Sequence, residues 1–233
     1  MKKAILLIAI SLLICFTFCG CDIVVTYDHP ERYSVATDVI ELDTENINSV
    51  EISWVSGDVT VKLYDGNTIK FSEDVYKDAG EEIRLHYYVD VDELKIKFAE
   101  SGYDGMSLEE HKNLTVYIPK NMQLDAIEVE TVSANVFVEN LSLNEFEFQS
   151  VSGNLKAILE GELVDGKFDS VSGNVELTMP RDSQFKLLFS TVSGSFNSDF
   201  KLVGEESEFV CGSKENELEF NSVSGILSLK AAE

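Results

Sequence analysis

Four carboxylates are the side chains of this chain best placed to do chemistry. Glu128 and Glu130 stand two residues apart, and Glu147 and Asp169 follow at intervals close to one internal repeat. Carboxylates brought together in this way can act as acid and base on a glycosidic bond, or hold calcium, if the fold stacks them on one face. Alternating charges on the outside of a sheet also keep it wet and discourage edge pairing. That plainer reading is the one adopted for these four.

Other chemistries have less to build on. His29, His86 and His111 are scattered with no HxH or HxxxH spacing, so no metal site is expected, and no cofactor motif occurs. Ser56, Ser152, Ser172, Ser193 and Ser224 recur at one motif position, yet none sits in a GxSxG elbow and none has a paired base. Trp54, Tyr87 and Tyr88 could stack on a sugar or a partner, although aromatics in strands more commonly pack across strands. Cys211 lacks a neighbouring histidine and reads as a small hydrophobe. The chain is therefore expected to be no enzyme, with a polysaccharide-active β-helix as the alternative.

Charge narrows the partners. Against 42 Asp+Glu stand 18 Lys+Arg, a formal net charge of -24, which makes nucleic acid an electrostatically repelled partner. The first residues, MKKAILLIAISLLICFTFCG, place two lysines before an apolar run from Ala4 to about Phe18, the layout of an export signal. Phe18-Cys19-Gly20-Cys21 resembles a lipobox, with Phe18 where Leu is usual and Cys19 where Ala or Ser is usual. The resemblance implies cleavage after Gly20 and a lipid on Cys21, which holds the body at the outer face of the cell membrane. An uncleaved N-terminal anchor is the alternative, and it gives the same location.

The elements that must position all these residues are written in a repeat. Six copies of a short motif align on Val55, Val132, Val151, Val171, Val192 and Val223, each followed by Ser-Gly, or by Ser133-Ala134 in one copy. Three residues before the valine stand Ile52, Val129, Phe148, Phe168, Phe189 and Phe220, and five before it Val50, Ile127, Phe146, Gly166, Leu187 and Leu218. Between these columns lie mostly charged residues, the alternation of a strand with one buried face. Four residues after the valine come Val59, Val136, Leu155, Val175, Phe196 and Leu227, so each copy is strand, corner, strand. Glycine at the corner is expected to supply backbone angles closed to other residues.

Spacing predicts how the copies stack. Val132, Val151, Val171 and Val192 follow one another at 19, 20 and 21 residues, the constancy of one turn of a solenoid. From Val192 to Val223 is 31, one coil plus an excursion with its own hairpin between Asp199 and Glu217. From Val55 to Val132 is 77, and the stretch between holds a hairpin, Ile83–Val89 with Leu94–Phe98. The fold class expected is all-β: a parallel β-solenoid, or β-helix, with coils of about 20 residues, preceded by a β-rich N-terminal layer with a hairpin. Its divisions are a leader at 1–20, a tether at 21–44, the β-rich part at 45–120 and the regular repeats at 121–231.

Asn113-Leu-Thr-Val-Tyr-Ile-Pro-Lys120, Ile127-Glu-Val-Glu-Thr-Val-Ser133 and the serial TVSG or SVSG corners together resemble the DUF4097 family of adhesin-like proteins, LiaG-like envelope proteins among them. The resemblance spans roughly 45–231. It implies a β-solenoid at the cell envelope, commonly tethered to the membrane, with a link to envelope stress in some members, and it carries over no catalytic or binding residue. The partners it implies are the membrane, through Cys21, and an envelope protein or wall polymer.

Overall fold

A computed structural model describes residues 16–19, 22–76, 79–104, 112–212 and 215–233. The expected leader at 1–20, Cys21 and His111 lie outside the described residues, apart from the strand Phe16–Cys19, which pairs antiparallel with Asp22–Val25. The body is a solenoid of two sheets, one of 11 strands and one of 9, joined at the repeated corners. Among the described residues no helix is long and apolar enough to cross a membrane.

Each coil puts one strand in each sheet. In stacking order, coil I is Glu93–Lys97 with Asn113–Pro119, and coil II is Ser49–Trp54 with Asp58–Tyr64. Coil III is Ala126–Thr131 with Asn135–Leu141, coil IV Glu145–Ser150 with Leu155–Leu159, and coil V Asp165–Ser170 with Val175–Met179. Coil VI is Glu217–Ser222 with Ile226–Ala231, and coil VII is Phe185–Thr191 with Ser195–Ser198. All neighbouring coils pair parallel, and the 11-stranded sheet keeps their register throughout, so Ile52, Val129, Phe148, Phe168, Phe220 and Phe189 form one inward row. The row is buried except at its end, where Phe189 is half-buried.

At both ends the order of coils in the stack differs from their order along the chain. The coil centred on Val223 does not lie beyond the one centred on Val192; it is inserted between coils V and VII. The chain leaves coil V, builds the outermost coil first and then returns to fill the gap. The mirror-image event occurs at the other end, where the chain starts on coil II, goes outward to coil I and skips back across coil II to coil III. The region 45–120, expected as a β-rich layer with a hairpin ahead of the regular repeats, supplies two full coils of the stack. Each end is then covered by antiparallel strands. Thr68–Asp74 and His86–Asp90 lie against coil I, and the hairpin Val203–Glu205 with Glu208–Cys211 lies against coil VII.

The corner motif resolves into distinct jobs. Its first hydroxyl is buried and accepts the backbone N–H of the motif glycine: Ser150 from Gly153 at 2.7 Å, Ser170 from Gly173 at 2.6 Å, Ser222 from Gly225 at 2.6 Å. The serine after the valine donates to the preceding coil, as Ser152 does to the Val132 carbonyl at 3.3 Å. Asn135, Asn154 and Asn174 form an amide ladder on the outside. Glycine is needed for space rather than for its backbone angles. Among the motif glycines only Gly57 has a positive φ, 97°, whereas a Cβ on Gly153, Gly173, Gly194 or Gly225 would sit within 2.2 Å of the neighbouring coil's carbonyl oxygen. Ala134 holds the corresponding position in coil III, directly over coil II, whose Gly57 has the positive φ.

The segment 21–44 is not a free tether from Val25 onward. Val25 and Ala36 are buried, Ser34–Val35 pairs with His86–Asp90, and Ile40–Asp43 pairs with Thr68–Asp74. Its apolar side chains had a sheet end to cover, which a reading of local composition does not show.

Candidate functional site

The outward faces of coils I to III, the end strand His86–Asp90 and the docked N-terminal segment enclose a groove of about 570 Å³. Register alone builds its floor. Lys95, Glu51, Glu128, Glu147 and Lys167 are successive members of one outward column, and Lys97, Ser53, Glu130, Gln149 and Asp169 form the next column beside it. The first three of each column line the groove.

The columns neutralise themselves unevenly. Lys95 and Lys97 both bind Glu51, Lys95 also meets Glu93 at 2.7 Å, and Lys97 donates to Ser53 Oγ at 2.9 Å. Burial alone would raise Glu51, but the two lysines outweigh it and hold the carboxyl below its usual range. Further along, Glu147 is held by Lys167 and by Gln149. Glu128 lies between these two satisfied carboxylates, and among the described residues neither it nor Glu130 is ion-paired. Burial, then the charges of Glu147, Glu130 and Glu51, push Glu128 up to about 7.

A strap, residues 25–33, supplies the wall. Gly102 N–H donates to the Val25 carbonyl at 2.8 Å, Ser101 Oγ accepts the Tyr27 N–H at 3.2 Å, and the Tyr27 hydroxyl donates to the Ala99 carbonyl at 3.2 Å. After a short 3-10 turn at Pro30–Arg32, Tyr33 packs on Tyr27 with ring centroids 4.4 Å apart, and on Tyr88 at 5.6 Å. Burial raises the Tyr27 phenol to about 12 and raises Tyr33 as well, so both rings are neutral. The Arg32 guanidinium lies 5.9 Å from the centre of the Tyr88 ring.

The residues singled out by sequence fare differently. Glu128, Glu130 and Glu147 do come together on one outer face, while Asp169 is buried there and accepts a hydrogen bond from Asn221 at 2.9 Å. Burial raises Asp169 in spite of that bond. Trp54 is core, with its indole N–H on the Lys112 carbonyl, and Tyr87 packs on Phe71, which leaves Tyr88 as the strand aromatic that lines the groove. His86 is buried and pairs across strands with Lys97 and Val35, and burial lowers its pKa. Cys211 is half-buried against the Ser183 carbonyl. No group of three or more His, Cys, Asp or Glu able to hold a metal occurs among the described residues. Tyr27, Arg32 and Tyr33 escape a reading by sequence because they sit in a segment that looks like a tether; two tyrosines closely following Val24 and Val25 are the available signal.

Residues 81–160, which include both strands of coils I, III and IV, match the model of a family described as Toastrack DUF4097. The Toastrack match is shorter than the repeat itself, which continues to Ala231. Among solved structures, a "putative cell adhesion protein" from Clostridium sporogenes superposes with a TM-score of 0.62 at 15% identity, covering 84% of this chain and 98% of its own. That likeness is one of fold. A "putative adhesin" from Bacteroides fragilis gives a TM-score of 0.38 at 12% identity over 84% of this chain and 96% of its own. No curated protein matches the chain.

Proposed function

We propose that this chain is a non-enzymatic binding scaffold of the cell envelope, an adhesin-like solenoid held at the extracytoplasmic face of the membrane by a lipid on Cys21. The observation that carries the reading is the strapped groove: a preformed depression with a tyrosine wall and a charged floor, raised on a rigid parallel stack. Such a site suits recognition of an envelope protein or a wall polymer. The leader and the lipobox-like Phe18–Cys21 support export and anchoring. Since Val25 is already buried, a lipid on Cys21 would leave a span of roughly 14 Å at most between bilayer and groove wall. The link to envelope stress rests on the resemblance to LiaG-like proteins.

Two experiments test this. Cys21→Ala should move the protein from the membrane to the soluble fraction, and continued retention would count against lipidation. The folded body from residue 22 onward should capture a reproducible envelope component from detergent and wall extracts; capture of nothing would count against the scaffold.

A second reading has one observation in its favour. Glu128 holds a proton near neutral pH beside Glu130, the state of a general acid next to a carboxylate. Release of reducing ends from envelope polysaccharide, abolished by Glu128→Gln, would establish it in place of the scaffold.

A further inference from the structure

We propose that the groove recognises a cationic side chain of a partner polypeptide, a guanidinium or ammonium group seated against the tyrosine wall and over Glu128 and Glu130. The inference rests on the binding-scaffold reading and names the ligand class of that same site.

Charge inside the groove sets the sign of the ligand. Its two lysines are spent on Glu51, and the strap contributes a single arginine, whereas Asp28, Asp90, Glu128 and Glu130 remain. A carboxylate partly removed from water with no cation beside it costs stability in the empty groove, and an incoming cation relieves that cost. An anionic ligand would add to it. The raised proton affinity of Glu128, caused by burial and then by Glu147, Glu130 and Glu51, reports the same imbalance.

Geometry sets the shape. Tyr27, Tyr33 and Tyr88 form a contiguous wall of half-buried, neutral rings, the surface on which a planar guanidinium or the stem of a lysine packs. Arg32 shows that the wall takes such a group, since its own guanidinium already lies over Tyr88. The exposed Arg32 acts as a placeholder at the groove mouth, to be exchanged for or joined by the ligand's cation. A volume of about 570 Å³ accommodates one long basic side chain with its flanking backbone.

The probe is an acetylated, amidated tetra-arginine peptide titrated into the chain from residue 22 onward by calorimetry, with tetra-citrulline as the neutral isostere. Tetra-arginine should bind at a single site and tetra-citrulline should not. Glu128→Gln with Glu130→Gln should weaken binding at least tenfold. Glu139→Gln with Glu160→Gln, the same charge loss on exposed residues away from the groove, should change it less than twofold. Tyr88→Leu should weaken it about two- to fivefold. Melting curves verify that each variant is folded. Equal loss in both double variants would reduce the effect to diffuse attraction by an acidic surface and overturn the proposal, as would citrulline binding equal to arginine or no binding at low salt. If envelope material is still captured while these tests fail, the cation falls and the scaffold stands. A captured neutral glycan sensitive to Tyr88→Leu but not to the Glu128/Glu130 pair would identify a sugar in its place.

Discussion

Phe220 is stacked face to face on Phe189, with ring centroids 5.4 Å apart and planes within 5° of parallel, although the chain lays down Phe189 first. The later residue lies inside the earlier one, and this inversion governs how the distal end of the solenoid is held together.

Phe220 is fully buried between coils V and VII, whereas Phe189 lies half-buried on the last coil. Phe220→Ala should cost about 3–5 kcal/mol and Phe189→Ala clearly less, as read from urea denaturation. A chain ending at residue 216 would lose coil VI and leave coil VII without a parallel neighbour. Limited proteolysis of that truncation should release the whole segment beyond Met179 rather than a short tail.

The corner glycines separate two reasons for using glycine. Gly173→Ala would drive a methyl into the Gly153 carbonyl at ordinary backbone angles, and should cost about 2–4 kcal/mol. Gly102→Ala has open space but a φ of 87°, and should cost about 1 kcal/mol. If thermal melts showed the two variants equally destabilised, the close approach of successive coils would not be what selects glycine.

Lys112 is a second point of tension in the fold. Its ammonium is buried against Glu73 at 2.6 Å, donates to the carbonyls of Ile83 and Phe98, and lies 4.2 Å from the Phe98 ring centre. Lys112→Met leaves Glu73, only 4% exposed, without its counter-charge, and should cost about 3–5 kcal/mol. Adding Glu73→Gln should restore part of that loss, a coupling measurable in a double-mutant cycle.

Glu128 predicts a pH dependence. Its folded-state value of about 7 lies above the ordinary 4.5, so the stability its proton supports is complete below about pH 4.5 and is lost as pH rises through 7. Glu128→Gln should match the parent protein at pH 4 and exceed it by about 1 kcal/mol at pH 8, after allowance for solvent screening of a partly exposed group. A variant less stable than the parent at pH 8 would show that Glu128 has a partner in solution.

The inward rows, the strand–corner–strand unit and the outward acidic columns are all legible in the amino-acid sequence. A period of two and a recurrence near twenty residues are local properties, and a parallel stack turns each recurring position into a continuous row. The order of coils at the two ends is not legible there, because every corner offers the same hydroxyls and carbonyls to whichever coil lies next to it. Which coil that is depends on long-range packing, such as the fit of Phe220 between Phe168 and Phe189. The groove shows the same division. Its floor of Glu51, Glu128 and Glu130 follows from register, but its wall exists only because Tyr27 and Tyr33 found the end of a sheet to cover, and burial against distant chain is decided by the folded molecule alone.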